Sequence, residues 1–477
     1  MIDSARMAAV DRNAAALGVS QAKLMESAGN AVARAVTDMI DPPGEVAIVA
    51  GRGNNGGDAL VAARYLDEYR PMVYLLGRSE AITTDLAREN WNAIEAADID
   101  TVVVRDSTAI DLGSPDVVVD GILGTGVTGE PREPARTAIQ AMNESGARIV
   151  SVDVPSGMDV DTGETGDVAA NADRVVTFHD LKPGLTGRDG VTVADIGIPA
   201  AAERFVGPGD LLELSRPAES HKGDFGRVMV IGGGPFTGAP ALAGQAALRA
   251  GADLAFVTVP EAIETAVQGF SEDLIVEPVP GDRIDPEDVP ELRSRASDRD
   301  VVVIGPGLGE SPETRDAVAD FLEGFSGRAV VDADALSIVR ELETEATLVC
   351  TPHQGEFVEM GGTGSEDVDE RAENVASFAG EVDATLLVKG AHDVISDGDT
   401  TRINRTGNPG MTVGGTGDVL AGATGALLAQ LEPIQAAAAA AFVTGRAGDL
   451  VVEESGYGLL ASDLLATLPE AIWGDRE

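Results

Sequence analysis

Cysteine, histidine and aromatic residues are scarce in this chain of 477 residues, and their scarcity excludes several kinds of site. Cys350 is the only cysteine, so neither an intrachain disulfide nor a cluster of thiolate metal ligands can form. The four histidines show no spacing typical of a zinc site. No apolar run approaches the roughly 20 residues that span a bilayer, and the first residues lack the order of a secretory signal. We therefore expect a cytoplasmic protein that does not bind membranes.

Basic residues are also few, since 34 Lys and Arg stand against 80 Asp and Glu, for a formal charge of −46. A surface of that sign repels phosphate groups, which argues against nucleic acid as a partner. The acidic residues are dispersed along the chain and are not gathered in one tail. We interpret this acidic surface as an adaptation to a cytoplasm of high salt, where dissolved ions screen the repulsion between carboxylates.

Lysine is the rarest of the charged residues, because arginine supplies the other basic positions. The chain contains only Lys23, Lys182, Lys222 and Lys389, and each of the last three lies within two residues of a glycine. A composition that disfavours lysine makes each remaining lysine a candidate for a specific function. We expect that some of these three belong to binding sites.

The chain is longer than one hydrophobic core usually supports, so we expect two domains. Strand-like apolar runs alternate with helical segments in both halves, which is typical of parallel, doubly wound sheets. The predicted fold class is therefore α/β, with two doubly wound domains. Glycine, proline and polar residues near the middle predict a linker at 207–220, between domains at 1–206 and 221–477.

A glycine-rich run at 414–418 precedes a long apolar stretch in the second half and ends with Asp418. The pattern predicts a helix whose first turn carries a carboxylate and whose free backbone N–H groups can hold phosphate oxygens. Phosphoryl transfer to a hydroxyl needs both parts, a group that accepts the proton and amides that stabilise the transferred charge. The alternative is a glycine turn that Asp418 merely caps.

Polar, glycine-rich segments follow three predicted strands of the first half. The segment 51–58 contains a G-x-G-x-x-G pattern, a weak signal for a dinucleotide-binding loop. Asp58 opens the following helix, where it would repel a diphosphate, so a ribose or another polar group fits this loop better. Segments 120–129 and 153–159 end two further strands, and in a parallel sheet all three segments meet at one edge.

Oxygen-bearing side chains of the three segments suggest a cation site. Those of Asn55, Asp120 and Ser156 could together surround a hard cation. The alternative is that these residues only form the turns that end their strands.

The first half resembles the NAD(P)HX epimerase domain, also called the YjeF N-terminal family, over about residues 1–205. The motifs that carry the resemblance are GRGNNGGDALVAAR, DGILGTGVTGE and DVPSGMDVDTG. The resemblance implies a Rossmann-like fold, Asp153 as the substrate-facing acid or base, and potassium bound by Asn55, Asp120 and Ser156. It also implies contacts between the hydrated nucleotide and Asn54, Asn55, Gly56, Gly57, Asp58, Gly124, Thr125, Gly126, Val127, Thr128, Gly129, Glu130 and Asp153.

The second half resembles the ribokinase-like NAD(P)HX dehydratase domain over about residues 215–477. The motifs include HKGDFGRVMVIGG, TPHQGEF, VKGAHDVI and GNPGMTVGGTGDVLAG. The resemblance implies that Asp418 acts on the substrate hydroxyl. Implied contacts to the hydrated nicotinamide are Ala239, Gly307, His353 and Asp418. Implied contacts to the adenine nucleotide are Lys389, Gly390, Ala391, His392, Asp393 and Gly417. For His353 the alternative is an ordinary hydrogen-bonding residue of a loop.

Together the two resemblances imply an enzyme that repairs hydrated NADH and NADPH. One half would interconvert the R and S epimers, and the other would dehydrate the S epimer at the expense of ADP, giving AMP and phosphate. Magnesium would bridge the donor phosphates, with ATP left open as the donor. The expected partners are the small molecules NADHX, NADPHX and ADP, and the sequence leaves a homo-oligomer open.

Two alternative functions remain at this point. The second half could be a ribokinase-type kinase for a small alcohol such as a vitamin precursor. The first half could be a regulatory module that only binds a nucleotide. The presence of Asp153 together with the residues of the potassium type favours an enzyme, because a pure scaffold does not need these residues.

Added salt should stabilise this protein. We expect the thermal unfolding midpoint to rise between a low-salt buffer and about 1 M salt, because the Debye length there falls to about 3 Å and carboxylate repulsion is screened. Calorimetry in KCl and in NaCl at equal ionic strength would separate general screening from specific potassium binding. A midpoint that stays constant or falls in both salts would contradict the interpretation of the acidic surface.

Overall fold

The structure of the chain is a computed structural model that describes residues 1–107, 110–126 and 129–474. It divides into two compact units, Met1–Ala202 and Glu203–Glu477. Within the described residues, the first unit contains a seven-stranded sheet and the second a nine-stranded sheet, and helices cover both. The predicted fold class, α/β with two doubly wound domains, is confirmed.

The first unit is built on parallel strands. Their bounds are β1 Val46–Ala50, β2 Pro71–Leu76, β3 Thr101–Val104, β4 Val117–Gly121, β5 Arg148–Val152, β6 Arg174–Phe178 and β7 Val191–Ala194. The helices are α1 Ser4–Ala16, α2 Gln21–Thr37, α3 Asn54–Tyr65, α4 Asp85–Ala96 and α5 Ala135–Glu144, with α6 Ala201–Arg204 at the boundary of the units. The strand order is β3-β2-β1-β4-β5-β6-β7. The order reverses between β1 and β4, and ligands of doubly wound sheets bind at such a point.

Burial explains why the strands of this unit read as continuous apolar runs. All five residues of β1 are buried. Val46, Ile48 and Ala50 belong to one hydrophobic core, and Ala47 and Val49 belong to another on the opposite face. Successive side chains of a strand point to opposite faces, so a sheet covered by helices on both sides needs apolar residues at every position.

The second unit is also built on a largely parallel sheet, but one edge of this sheet is antiparallel. Its strands are β8 Arg227–Ile231, β9 Leu254–Pro260, β10 Ile275–Val279, β11 Val301–Ile304, β12 Arg328–Val331, β13 Thr347–Cys350, β14 Thr385–Val388, β15 Asp393–Ser396 and β16 Thr401–Asn404. Their order is β10-β9-β8-β11-β12-β13-β14-β15-β16. The strands pair in parallel up to β14, and β15 and β16 then add an antiparallel hairpin.

Helices cover both faces of the second sheet. Their bounds are α7 Gly238–Arg249, α8 Glu264–Gln268, α9 Val289–Ala296, α10 Pro312–Glu323, α11 Gln354–Glu359, α12 Val368–Val382, α13 Thr416–Leu428, α14 Pro433–Ser455 and α15 Ala461–Trp473. Helix α13, which carries Asp418 in its first turn, packs against α7. Small residues allow that packing, because a Cβ on Gly422 would lie 2.0 Å from the carbonyl oxygen of Ala243.

Part of the predicted linker belongs to the second unit. Leu211 and Leu214 are buried in its hydrophobic core. The carboxylate of Asp210 accepts hydrogen bonds of 2.9 and 3.0 Å from the guanidinium of Arg402 on β16. Apolar side chains and a buried ion pair therefore hold this segment against the second sheet, although its glycine and proline content is typical of a connection.

The single cysteine lies at the end of β13. Cys350 is completely buried. Burial and the nearby charge of Asp332 raise the pKa of its thiol to about 12. A buried thiol of that kind is unreactive, so its role is to pack in the core.

Replacing Gly422 by alanine should destabilise the second unit. Helix propensity alone would favour alanine by about 1 kcal/mol. The clash with the backbone of α7 should outweigh this gain and lower the free energy of unfolding by about 1–3 kcal/mol, the usual cost of overpacking. Thermal unfolding at constant salt would measure the change. Gly458→Ala is the matched control, because a Cβ there meets no atom within 4 Å; equal midpoints for the two variants would contradict the steric argument.

Candidate active sites

The first candidate site lies where β1 and β4 end. Helix α3 begins at Asn54, directly after the glycine loop, and the loop touches neighbouring backbone. A Cβ on Gly51 would lie 2.0 Å from the carbonyl oxygen of Ile122, and a Cβ on Gly56 would lie 2.1 Å from that of Gly51. These glycines are therefore required by close backbone packing. Gly57 is also buried, whereas the side chain of Asn54 is exposed to solvent.

A buried polar network joins the ends of β4 and β5. The carboxylate of Asp120 accepts hydrogen bonds from Ser151 Oγ at 2.7 Å and from Ser156 Oγ and N at 2.5 and 2.9 Å. Ser156 Oγ accepts a hydrogen bond from the N–H of Leu123, and Asn55 Nδ2 donates one to the carbonyl oxygen of Leu123, both at 2.9 Å. Burial raises the pKa of Asp120, although these hydrogen bonds oppose the shift. The three residues predicted to bind potassium thus lie together around one backbone segment.

Asp153 follows β5 in a left-handed backbone conformation, with φ of 62°. Its Oδ1 accepts hydrogen bonds from Thr177 Oγ1 at 3.0 Å and from the N–H of Phe178 at 3.2 Å. Lys182 Nζ lies 3.1 Å from the same oxygen. Lys182 is completely buried and also donates to the carbonyl of Phe178 at 2.6 Å. Three donors therefore surround one carboxylate oxygen of Asp153 and fix its position.

Two further carboxyl groups lie close enough to Asp153 to respond to its charge, Asp11 on α1 and Asp58 on α3. Burial first and Asp153 second raise the pKa of Asp11 to about 6. Burial, followed by the charges of Asp153 and Asp11, raises the pKa of Asp58 well above its usual value. Sequence analysis missed Asp11, because it lies on a helix outside every motif. Lys182 had been singled out only by the rarity of lysine.

The predicted substrate loop after β4 borders a cavity of about 270 Å³. Three of its predicted residues line the cavity: Gly124, Gly129 and Glu130. Two others form a turn: Thr125 and Gly126. The remaining two lie outside the described residues: Val127 and Thr128. The cavity also includes Pro155 and Asp159 from the segment that follows Asp153, so two of the predicted strand-end segments meet here.

The second candidate site lies at the N-terminus of α13. Gly415, with φ of 98°, immediately precedes Thr416, the first helical residue. A cavity of about 610 Å³ opens beside this turn. Asp418 lines it together with Ala239 from α7 and Gly307 from the loop after β11. The structure therefore brings together three of the four positions predicted to contact the hydrated nicotinamide.

Lys389 carries positive charge to this site. Its Nζ lies 3.1 Å from Asp332 Oδ1 and 3.9 Å from Glu356 Oε2. Burial alone would lower the pKa of Lys389, but the two carboxylates outweigh it and raise the pKa. Thr351 Oγ1 donates a hydrogen bond of 2.7 Å to the same oxygen of Asp332. A Cβ on Gly417 would lie 3.4 Å from Nζ, so the ammonium reaches the first turn of α13.

Asp418 has the properties of a general base. Burial raises its pKa to about 7, the charge of Asp332 acts in the same direction, and Lys389 opposes it. A carboxylate with such a pKa is substantially ionised at neutral pH and is basic enough to accept a proton from a reacting hydroxyl. Free backbone N–H groups of the same helical turn are available to an anion beside it.

His353 has a structural role that the alternative interpretation foresaw. It caps α11, because its Nδ1 accepts a hydrogen bond of 3.0 Å from the N–H of Glu356. In return, its own N–H donates to Glu356 Oε2 at 2.7 Å. The imidazole is 59% exposed and lines a second cavity, of about 400 Å³. This cavity shares Ala333 and Asp334 with the cavity beside α13, so a capping histidine still borders the site.

The other residues predicted to bind the nucleotide form the turn between β14 and β15. Residues 390–392 are exposed. Asp393 closes the turn by accepting hydrogen bonds of 3.0 Å from Gly390 N and 2.9 Å from Asn404 Nδ2. Burial raises the pKa of Asp393. The turn continues directly from Lys389, so a ligand that contacts the ammonium can also contact the exposed backbone.

Comparison with known proteins decides the family. Residues 228–470 match the family described as NAD(P)H-hydrate dehydratase, and residues 21–184 match the YjeF-related protein N-terminus. A bifunctional NAD(P)H-hydrate repair enzyme from Methanothermobacter thermautotrophicus is 44% identical over 98% of this chain and 94% of its own length. The chain belongs to the bifunctional NAD(P)H-hydrate repair enzyme family. The relative from Archaeoglobus fulgidus is 43% identical over 99% of this chain and 98% of its own.

Solved structures resemble the second unit. The ADP/ATP-dependent NAD(P)H-hydrate dehydratase from Bacillus subtilis, co-crystallised with ATP and Mg²⁺, is 28% identical, with a TM-score of 0.50. It covers 57% of this chain and 99% of its own. A ribokinase-like superfamily protein from Enterococcus faecalis covers the same share of this chain at 25% identity and a TM-score of 0.50. These likenesses agree with the ribokinase-like architecture of the second unit.

None of the helices among the described residues is both long enough and apolar enough to cross a membrane. In the same part of the chain, no three His, Cys, Asp or Glu side chains come together as a metal site.

The ionisation of Asp418 should make stability depend on pH. Its pKa is about 7 in the folded protein against an ordinary value of 3.8. Between these values the native state holds a proton that the unfolded chain has released, so the contribution of Asp418 to stability falls as pH rises. Asp418→Asn removes the cost of a buried carboxylate. The variant should therefore unfold at a higher temperature than the parent at about pH 8, and this advantage should disappear near pH 4.

Thermal melts of parent and variant across that pH range provide the measurement. Asp399→Asn, at an exposed position, is the control and should show no such crossover. A difference between parent and Asp418→Asn that is the same at every pH would show that ionisation is not its cause.

Proposed function

We propose that the first unit interconverts the epimers of hydrated NADH and NADPH, and that the second dehydrates the S epimer at the expense of ADP. The products of the second reaction are the reduced cofactor, AMP and phosphate. The observation that supports this most directly is Asp418, held beside free helix amides in a cavity that also contains Ala239 and Gly307. Relatives that match both units over 98% of the chain favour repair over a kinase fused to a regulatory module.

Dehydration needs help because hydroxide is a poor leaving group. Asp418 accepts the proton of the substrate hydroxyl while the hydroxyl oxygen takes a phosphoryl group from ADP, which leaves AMP. The N–H groups at the start of α13 stabilise the charge on the transferred group, and Lys389 Nζ contributes positive charge nearby. The lone pair of the ring nitrogen then expels phosphate, and loss of a ring proton restores the reduced nicotinamide.

The nucleotide fits the exposed turn that continues from Lys389. Lys389 to Asp393 and Gly417 would hold ADP, with ATP as an alternative donor. Magnesium would be held mainly by the phosphates of the nucleotide, since no cluster of three acidic side chains marks a protein site among the described residues. When bound, it would neutralise phosphate charge.

Potassium fits the network at the end of β4. Asp120 is a completely buried carboxylate, and Ser156 Oγ and the carbonyl of Leu123 supply further oxygens near it. Asn55 completes the set from the first turn of α3. A bound monovalent cation would compensate the buried charge of Asp120 and fix the substrate loop. In the proposal, Asp153 acts as the acid or base that faces the substrate.

Two variants should separate the two activities. Asp153→Asn should abolish conversion of purified R epimer into S epimer in the absence of nucleotide, while dehydration of S epimer with ADP persists. Asp418→Asn should do the reverse and lower dehydration by about 10²–10⁴, the usual contribution of a general base. Chromatography follows the epimers, and the near-ultraviolet absorbance of the reduced nicotinamide follows dehydration, together with AMP and phosphate.

The parent enzyme is the reference in both assays. If it recovers no reduced cofactor from the hydrate with ADP or ATP, the proposed function is wrong. Loss of both activities in either single variant would contradict the assignment of the two reactions to separate units.

A further inference from the structure

The proposed dehydration releases two protons from the substrate, and only the first has a named acceptor. Asp418 takes the proton of the hydroxyl, whereas the proton that later leaves the nicotinamide ring still needs a base. We propose that Asp334, which lies just after β12, is the catalytic base that accepts this ring proton. The inference rests on the proposed function of the second unit and deepens it.

Asp334 lies in the same cavity as Asp418. Both aspartates line the cavity of about 610 Å³ beside α13, together with Ala239 and Gly307. Among the described residues that line this cavity, the others are apolar residues, glycines and one threonine, so the two aspartates are its only ionisable side chains. Once Asp418 holds the hydroxyl proton, Asp334 is the one side chain of the cavity wall that can act as a base.

A hydrogen bond fixes the carboxylate of Asp334 at the cavity wall. Its Oδ2 accepts a hydrogen bond of 2.7 Å from the N–H of Gly309. Gly309 follows β11 in the loop that also carries Gly307, so the carboxylate is tied to a segment that lines the cavity. Among the described residues, no other donor and no cation contacts this carboxylate, which leaves its Oδ1 available to a ligand.

Asp332, two residues earlier in the chain, has different partners. It is 2% exposed, and its Oδ1 accepts hydrogen bonds from Thr351 Oγ1 and Lys389 Nζ. Ala333 between the two aspartates has a left-handed backbone conformation, with φ of 50°. Such a conformation is uncommon for a residue with a side chain and is often found at functional sites. One aspartate is thus paired with a buried network, and the other borders the cavity without a cation.

The departure of phosphate prepares the ring to lose its proton. The electrons of the carbon–oxygen bond leave with phosphate, and the lone pair of the ring nitrogen forms a carbon–nitrogen double bond that makes the ring positively charged. Asp334 then accepts a proton from the neighbouring ring carbon. The electrons of that carbon–hydrogen bond form a carbon–carbon double bond, and those of the carbon–nitrogen double bond return to nitrogen. The product is the reduced nicotinamide, and nothing is oxidised.

The charge of the carboxylate also suits this step. A negative group fixed beside the ring stabilises the positive charge that develops on it as phosphate leaves. Without a base, water can add back to the carbon–nitrogen double bond and regenerate the hydrate after ADP has been consumed. The ratio of AMP to reduced cofactor therefore reports whether the ring proton is removed before water returns.

Asp334→Asn tests the base, because asparagine keeps the shape of the side chain and its oxygen can still accept the hydrogen bond from Gly309. With S epimer and ADP, the parent should form AMP and reduced cofactor in equal amounts. The variant should still form AMP, since Asp418 is intact. Loss of a general base should slow removal of the ring proton by about 10²–10⁴ and raise the ratio of AMP to reduced cofactor at least about tenfold.

Two further variants complete the experiment. Asp334→Glu restores a carboxylate and should bring the ratio back towards that of the parent. Asp316→Asn, at an exposed position on α10, is the matched control and should equal the parent. Chromatography of AMP and the near-ultraviolet absorbance of the reduced nicotinamide provide both quantities in one reaction.

Equal amounts of AMP and reduced cofactor from Asp334→Asn would overturn the proposal, because the departing phosphate or water would then be the base. Absence of AMP from both Asp334→Asn and Asp334→Glu would also overturn it, because the residue would then be needed before the ring proton is lost. A parent that recovers no reduced cofactor would instead refute the proposed function of the second unit.

Discussion

A lysine paired with an aspartate lies near the strand ends of each unit, and of the two lysines Lys182 is completely buried whereas Lys389 is 21% exposed. Lys182 contacts Asp153 in the first, and Lys389 contacts Asp332 in the second, both at 3.1 Å and both beside the carboxyl ends of parallel strands. Removing one partner of a buried pair leaves an uncompensated charge that costs about 3–5 kcal/mol. The acidic groups of the two sites therefore depend on two of the four lysines in the chain. The compact point charge of lysine suits this role, because a guanidinium would need more space and more hydrogen-bond partners.

Both sites also contain carboxyl groups that lower the stability of the fold. Asp11 and Asp418 are held where burial raises their pKa towards neutrality, to about 6 and about 7. A carboxyl group in such a place is costly once it ionises, and this cost falls on the native state alone. The same placement gives each site a group that can exchange protons near neutral pH. Reactivity is thus obtained at the expense of stability, and the extensive apolar cores of both sheets supply what is lost.

Much of both sites could be predicted from the sequence because parallel sheets gather strand ends at one edge. Asp120 lies near the end of β4 and Ser156 follows β5, and the two still share a hydrogen bond, as that rule requires. Glycines in close-packed loops, such as Gly51, also leave a clear trace in the sequence. Asp11 left no such trace in the sequence. Its proximity to the site depends on how α1 packs, and no local sequence pattern encodes that packing. The hairpin of β15 and β16 was missed because its strands carry polar residues at their ends and so do not form continuous apolar runs.

The buried position of Cys350 makes the chain convenient for spectroscopy. A thiol with a pKa of about 12 in a closed core does not compete for maleimides or spin labels under mild conditions. A cysteine introduced on the substrate loop or on the turn after β14 would then be the sole labelled position in the molecule. Motions at either site could be followed one at a time in the otherwise unchanged chain, without first removing its own cysteine.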